Sequence, residues 1–530
     1  MHLPTRNSIF IFALVLLSVT AIPARSAGKD NQDKKPAHHH YKVVDLGTFG
    51  GPSSYFNSLS VTDVFLFGTV FYNIAQVRNS KGVFVGFAET SAPDPYPGFC
   101  YLPDCFVAHA FQWKNGIQTD LGALPGGASS AAFWINAKGW ITGNSENGET
   151  DPLIPGVPEI RAVRWKDGQI RDLGTLGGST SFAQAINNRG QITGLALNGI
   201  SDPYSYYYVF LYGFSNGSQT RGFFWDEKDG MQDIGTLGGP DAFPSLINQR
   251  GQVAGFSYTN SIPNSTPPFV PTFHPFLWEK GKGMKDLGSL GGTQTASVNG
   301  LNERGEVVGG LLLPGDVINH PFLWDGEKLT DLTAPPFSAT GKGEARWINE
   351  AGEVVGNAEL SGSCDGLGLR MHAFLWRNGA MTDLGKIAGT PNSQADFINS
   401  KTQIVGGSWS CDTSVLNAFL WEDGSIVDLN TLIPPDSPLY LYWAPFIDDR
   451  GEIGAFGTLP DGDSHAVLVM PCDENHPAVE GCDYSMVDTP AAVPLTSFAV
   501  RKRSRRAWAP SLMRRMGRYR LPGPALGPKN

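Results

Sequence analysis

The chain has 530 residues, including 64 Gly and 38 Pro, and carries a formal net charge of −10 at pH 7. That acidic balance argues against nucleic acid as a partner. The body also lacks the run of about 20 apolar residues that a membrane span needs, so neither a nucleic-acid reader nor an integral membrane protein is expected.

The first residues, "MHLPTRN", are followed by the apolar run from Ile9 to Val19 and then by small residues, with Ala24 and Ser26 placed for signal peptidase. A charged start, a short apolar core and small residues before a cut read as a secretory signal, here residues 1–27. No Cys follows the apolar run, so a lipid anchor is not expected. Residues 28–40 are Lys- and His-rich, and "HHH" at His38, His39 and His40 reads as part of a flexible leader rather than a metal site.

From residue 41 to 471 the chain repeats itself. A DLG-type phrase recurs at Asp45, Asp120, Asp172, Asp233, Asp286, Asp331, Asp383 and Asp428. An apolar phrase ends in Trp at Trp113, Trp165, Trp225, Trp278, Trp324, Trp376 and Trp421, and a degenerate eighth copy, "HAVLV", begins at His465. A third phrase, I-N-x-x-G-x-V-x-G, reads "INAKGWITG" from Ile135 and "INNRGQITG" from Ile186. In the second copy, apolar alternation on both sides of "NNRG" predicts two strands joined by a tight turn. Asn187 can bond its own turn and Gly190 can take positive φ. The strand ending in Trp and its return through DLG complete four short antiparallel strands, and no helical periodicity of useful length appears.

Eight copies in this span give about 54 residues each, near the roughly 40–50 of four-stranded propeller repeats. One such sheet cannot bury both faces, but sheets stacked radially cover one another. The body opens with a lone fourth strand, "YKVVDLG", and ends with a lone third strand, "HAVLVM". The fold class is therefore all-β: an eight-bladed propeller closed by its N-terminal strand. Seven blades is the alternative, because an apolar insertion between Phe56 and Ile74 interrupts the first unit.

"HAFLW" at His372, its downstream DLG and the I-N-x-x-G-x-V-x-G phrase resemble the HAF-repeat family of extracellular bacterial repeat proteins, over roughly residues 41–471. The resemblance implies a secreted or cell-surface protein and brings no catalytic residues with it. Some members of that family end in a membrane-sorting tail, whose apolar helix is not found here.

Eight Asp spread around a ring cannot converge on one substrate, so the DLG Asp reads as a turn and strand-edge residue. The recurring Trp reads as packing between blades, which would make Trp376→Ala cost roughly 3–5 kcal/mol. The strand-start His recurs at His109, His274, His320, His372 and His465 but is replaced by Arg161, Arg221 and Asn417, changes a metal ligand would not tolerate. No phosphate loop, nucleophile elbow or calcium loop is recognisable. No catalytic residue, cofactor or metal is expected.

Strand direction places the tight turns on one rim and the variable loops on the other, where binding residues concentrate. Tyr204, Tyr206, Tyr207, Tyr208 and Tyr212, in the longest loop, suit sugar stacking or a protein interface. The six Cys are expected to pair in chain order: Cys100 with Cys105, Cys364 with Cys411, and Cys472 with Cys482 in an extension over residues 472–497. Residues 498–530 hold ten Lys or Arg and no acid, a basic and disordered tail.

Together these features predict a secreted, non-enzymatic scaffold that binds a glycan or protein through its variable-loop rim. Two other readings stay open: a polysaccharide-degrading propeller with a carboxylate pair about 5–10 Å apart, and a self-assembling envelope component. Oligomeric state is not predicted.

Overall fold

The computed structural model describes residues 37–56, 76–97, 100–102, 104–212, 217–265, 269–364 and 369–488. The signal segment 1–27, the start of the leader, the insertion after Phe56 and the basic tail 498–530 lie outside the described residues. Eight four-stranded antiparallel sheets form a ring, as expected. Blade 1 consists of Gly50–Tyr55, Phe84–Pro93, Phe106–Lys114 and Ile117–Asp120, and the other blades follow in chain order. From blade 2 to blade 8, strand a meets the next blade's strand a, and in every blade strand d is the edge strand farthest from strand a.

Blade 8 takes Tyr440–Ile447, Ile453–Thr458 and Ser464–Pro471 from the C-terminal side and Tyr41–Asp45 from the N-terminal side. Val43 lies opposite Val469 in that closing pair, so the ring is clasped and has eight blades rather than seven. Blades stack face to face, which buries both faces of the middle strands. The first six residues of Ile141–Thr150 are all buried, for instance. That is why these strands read as apolar runs rather than strict alternation.

Each repeated residue has a local duty. The DLG Asp accepts the backbone N–H two residues on in all eight copies, from Asp45 to Gly47 (2.8 Å) through Asp428 to Asn430 (2.9 Å). Its carboxylate also meets the strand-start His of the same blade: His109–Asp120 at 2.8 Å, His320–Asp331 at 2.7 Å and His372–Asp383 at 2.9 Å are three of five such pairs. The closing blade joins the chain ends this way, His465 to Asp45 at 2.9 Å. Arg221 replaces His by bonding Asp233, so in six of the eight blades this position supplies the DLG Asp with a side-chain donor.

The recurring Trp packs across blades where it is buried. Trp165 is 1% exposed and donates to the Leu121 carbonyl of blade 1 (2.9 Å), and Trp278 lies 5.2 Å from Phe224 of blade 3. Trp376 departs from this expectation: it is only half-buried, at the edge of a cluster around Phe374 and Met381. Trp376→Ala should therefore cost about 2 kcal/mol, below the roughly 3–5 kcal/mol of a fully enclosed aromatic. Urea unfolding of the variant measures this.

In the I-N-x-x-G-x-V-x-G phrase the Asn and both Gly have local reasons. Asn187 Oδ1 accepts the N–H groups of Arg189 and Gln191 (3.0 and 3.1 Å), and Gly190 sits at φ +83°. The final Gly answers a bulge. Strand a carries an extra residue opposite it, between Ala183 and Ala185 in blade 3. The bulge drives a carbonyl into the space a side chain would need: a Cβ on Gly194 would lie 1.9 Å from the Phe182 oxygen, and one on Gly406 1.9 Å from that of Gln394.

The turn Asn side chains also link the blades. Each amide donates to the backbone carbonyl of the next turn, in seven steps from Asn79→Asn136 (3.2 Å) to Asn399→Asp448 (2.9 Å). Blade 8 has Asp448, which cannot donate. Arg78 of blade 1 closes the circle instead, pairing with Asp448 and with Glu452 (2.6 Å), and is 4% exposed.

Residues 37–40 correct the expectation of a flexible leader. Ala37–His39 pairs antiparallel with Met486–Asp488, far along the chain. His38 is fully buried and bonds Glu422 at 2.9 Å, and the His40 carbonyl accepts from Cys472. The extension docks through His476, which bonds Asp473 and Glu452 (2.6 and 3.2 Å).

Candidate functional site

The variable-loop rim is built by lengthening strand b. It runs 10 or 11 residues in blades 1–4 and 6, against six in blades 5, 7 and 8, so the b–c hairpins of five blades project beyond the ring. In three of them the tip begins with Asp-Pro: Asp94, Asp151 and Asp202, all buried. Each Asp accepts the N–H two residues on. Asp94 and Asp151 then receive a Ser hydroxyl from the next blade's entry, Ser129 and Ser179, both at 3.2 Å. The Asp-Pro dipeptides in "SAPDPYPG", "GETDPLIPG" and "GISDPYSYY" were visible signals of this tie.

The tyrosine-rich loop does not form an open platform, which corrects the expectation for those residues. Tyr206–Tyr212 is a seven-residue helix, α1. Tyr206, Tyr207 and Tyr208 are 2%, 0% and 0% exposed. The Tyr206 ring packs 5.0 Å from Phe243 and 5.1 Å from Phe256, Tyr207 lies 5.8 Å from Phe182, and the Tyr208 hydroxyl reaches Asp151 at 3.2 Å. A Cβ on Gly217 would fall 1.8 Å from the Tyr208 ring. Burying three large rings outweighs displaying them, and the Tyr208 hydroxyl keeps a partner in Asp151. Tyr204 is half-buried, its carbonyl accepting from Tyr258 (3.1 Å). Tyr212 closes the helix. The helix caps the loops of blades 2–4.

Apolar side chains do face outward on this rim at other positions. Leu153 (48% exposed), Phe269 (49%) and Val317 (69%) lie in b–c loops and Ile200 (58%) and Ile262 (74%) in the outer ends of strand b, in four consecutive blades, 2 to 5. Periodicity could not single them out, because they lie at hairpin tips where strand alternation ends. The three disulfides pair as expected, with Cα separations of 5.1, 5.4 and 5.4 Å. Cys364–Cys411 ties the b–c loops of blades 6 and 7, so the same rim is covalently braced beyond the apolar arc.

The strand-a bulges gather a second set of polar groups on the inner strands of blades 5–8. Asn299, Arg346 and Asp396 occupy bulge positions. Arg346 lies 3.4 Å from both Glu344 and Asp396; Asn299 donates to Glu344 (2.6 Å), and Gln394 (2.7 Å) and Trp443 (2.5 Å) donate to Asp396. Burial raises the Asp396 carboxyl while Arg346 opposes it. Both carboxylates thus share one guanidinium and are occupied by donors, an arrangement suited to holding inner strands together rather than to acid–base turnover. Elsewhere, burial and then Asp104 push Glu89 up to about 8, and burial raises Glu146 to about 7. Glu146 accepts the N–H groups of Ala128 and Ser129 at its own blade's entry (3.2 and 3.0 Å), a structural task. Among the described residues, no three His, Cys, Asp or Glu side chains gather to hold a metal ion.

No protein-family model and no curated protein matches the chain. Among solved structures, it is similar to the β-propeller domain of the trilobed protease from Pyrococcus furiosus, at 10% identity and TM-score 0.38, covering 66% of this chain and 95% of that one. It is also similar to a gluconolactonase from Xanthomonas campestris, at 10% identity and TM-score 0.25, covering 59% and 78%. A third is the sialidase of Trypanosoma rangeli, at 10% identity and TM-score 0.28, covering 81% of this chain and 59% of that one.

Proposed function

We propose that this chain is a secreted, non-enzymatic scaffold that holds a protein partner on its variable-loop rim. The observation that carries the reading is the apolar arc of Leu153, Ile200, Ile262, Phe269 and Val317 on four neighbouring blades, because apolar side chains repeated on one rim are what a partner surface covers. With Tyr206–Tyr208 buried, the ring platform that favoured a glycan on this rim is gone. The resemblance to HAF-repeat proteins and the N-terminal signal segment support export. Three disulfides fit an oxidising compartment.

A photo-crosslinking residue placed at Ile262, and separately at Ile117 on the opposite rim, tests the reading in surface extracts of the source cells. A defined protein adduct is expected from position 262 and not from 117. The partner's affinity for Leu153→Asp/Ile262→Asp should then fall at least tenfold. Adducts from neither position, or from both equally, would remove the rim assignment. New reducing ends on incubation with a polysaccharide panel would overturn the non-enzymatic reading.

A further inference from the structure

The tight-turn rim carries a charge pattern that changes in blade 2. The fourth residue after the turn Asn is Gln or Glu in blades 3–8, from Gln191 to Glu452, but Val83 in blade 1 and Trp140 in blade 2. Where it is Glu it can take the basic residue of the turn, as in Arg304–Glu306 at 2.6 Å and Arg450–Glu452 at 3.6 Å. Blade 2 keeps the basic residue, Lys138, without the acid. The Trp140 ring instead has Lys138 Nζ 4.9 Å, Lys166 Nζ 4.4 Å and the Arg164 guanidinium 5.4 Å from its centroid. Arg164 and Arg171 also lie over Trp225, at 5.2 and 5.3 Å. Lys81 of blade 1 extends the row, its Nζ 3.5 Å from the Lys138 carbonyl.

One cation of blade 1 and four of blade 2 therefore line this rim up to Trp225 of blade 3, and the acids met here are Glu227, shared by Arg164 and Arg171, and Asp167 of the adjoining turn. Among the described residues, no ion pair engages Lys81, Lys138 or Lys166. Lys81 and Lys138 are exposed. The floor is rigid, because Trp140 lies against the next turn so closely that a Cβ on Gly190 would come within 2.3 Å of it. Exposed cation–π contacts contribute only about 0.5–1 kcal/mol each, which does not explain gathering like charges on an acidic chain. A ligand with negative groups would relieve that repulsion. The row is open and extended rather than a pocket, which suits a polymer with repeated charges.

We propose that Lys81, Lys138 and Lys166 around Trp140 form a binding stripe for an acidic polysaccharide, carrying carboxylate or sulfate groups along its length. The disulfides favour carbohydrate over nucleic acid as the polyanion met. This site lies on the rim opposite the apolar arc and does not depend on that reading.

The test uses the full chain on immobilised polygalacturonate and dextran sulfate, with single-stranded DNA as the third surface. Lys138→Gln/Lys166→Gln should weaken polysaccharide binding about tenfold and flatten its salt dependence, with an unchanged Tm because neither lysine is packed in the core. A second variant, with Arg501, Lys502, Arg503, Arg505 and Arg506 changed to Gln, separates the basic tail from the stripe and should keep most of the binding. Loss confined to the tail variant, full binding by the double lysine variant, no binding by the unmodified chain, or preference for DNA would each overturn the proposal.

Discussion

Replacing Arg78 by Ile should destabilise the propeller by about 3 kcal/mol, because it removes the cation that pairs with the half-buried Asp448 and leaves the buried Glu452 only its contacts with His476 and Arg450, at the seam where the ring closes. Ile is the informative substitute: the residue before the turn Asn or Asp is Ile135, Ile186, Ile247, Leu301, Ile348, Ile398 and Ile447 in the other blades. Its size and apolar character therefore belong in the fold, and only the charge is missed. The sibling blades also show the repair. Asn187 with Gln191 and Asn248 with Gln252 pair within the turn at 2.7 and 2.8 Å while still donating to the next blade. Arg78→Ile/Asp448→Asn/Glu452→Gln should thus recover most of the loss, since the amide introduced at position 448 could donate to the Asn79 carbonyl and complete an all-amide ring. Urea midpoints of the single and triple variants decide it. A triple variant no better than Arg78→Ile would show that the seam needs the ion pair itself.

The seam is special for a topological reason. Seven of the eight blade junctions join units adjacent in the chain, and each has the turn-Asn amide bond to the next blade. The eighth joins residues as distant as Arg78 and Asp448, 370 apart, and must be selected from the unfolded ensemble against a large closure entropy. It carries the Arg78 ion pairs, the Tyr41–Asp45 strand, the His465–Asp45 pair and the Ala37–His39 strand on Met486–Asp488. The Cys472–Cys482 disulfide shapes the extension that lies over this blade.

What the sequence made legible follows the same division. Strands, turns, blade number, closure and Cys pairing were readable because each is local or repeated, so eight noisy copies reinforce one another. The amide ring was not readable, since the turn Asn already had a sufficient job within its own loop and nothing local names the next blade's carbonyl. Tyr206–Tyr208 misled because a Tyr run looks alike whether its hydroxyls meet water or, as with Tyr208, a buried Asp151. "HHH" looked like a leader because its strand partner lies at the far end of the described chain. The apolar arc was hidden for the opposite reason: single Ile and Leu residues at loop tips carry no pattern until the blades place them side by side.

Thermal stability should peak near pH 5 and fall by on the order of 4 kcal/mol by pH 8.5, a fall that follows from the buried carboxyls. Glu89 and Glu146 are fully buried, and burial, aided at Glu89 by Asp104, lifts them to about 8 and about 7. Burial likewise raises Asp94, Asp202 and, with the help of Asp202, Asp241. A raised pKa means the folded chain holds a proton that the unfolded chain has released above about pH 4.5. The contribution is complete below the unfolded value and is lost as pH climbs through the folded one. Two strand-start His act in the same direction: Asp120 raises His109, and Asp45 raises His465 against the lowering effect of burial. Their stabilisation is present below about pH 6.5 and disappears above it. The acid limb is set by their partners. Against burial, the His contacts lower Asp45, Asp120, Asp286, Asp331 and Asp383, and that stability is lost only as pH falls below the ordinary carboxylate range, near about 4. Tm measured from about pH 3 to 9 gives the curve, and Glu89→Gln/Glu146→Gln assigns it. The amide keeps the shape of the protonated acid but cannot ionise, so the double variant should flatten the alkaline limb and leave the acid limb in place. An alkaline limb as steep as that of the unmodified chain would move the effect to the His–Asp pairs, where His109→Gln and His465→Gln would then have to remove it.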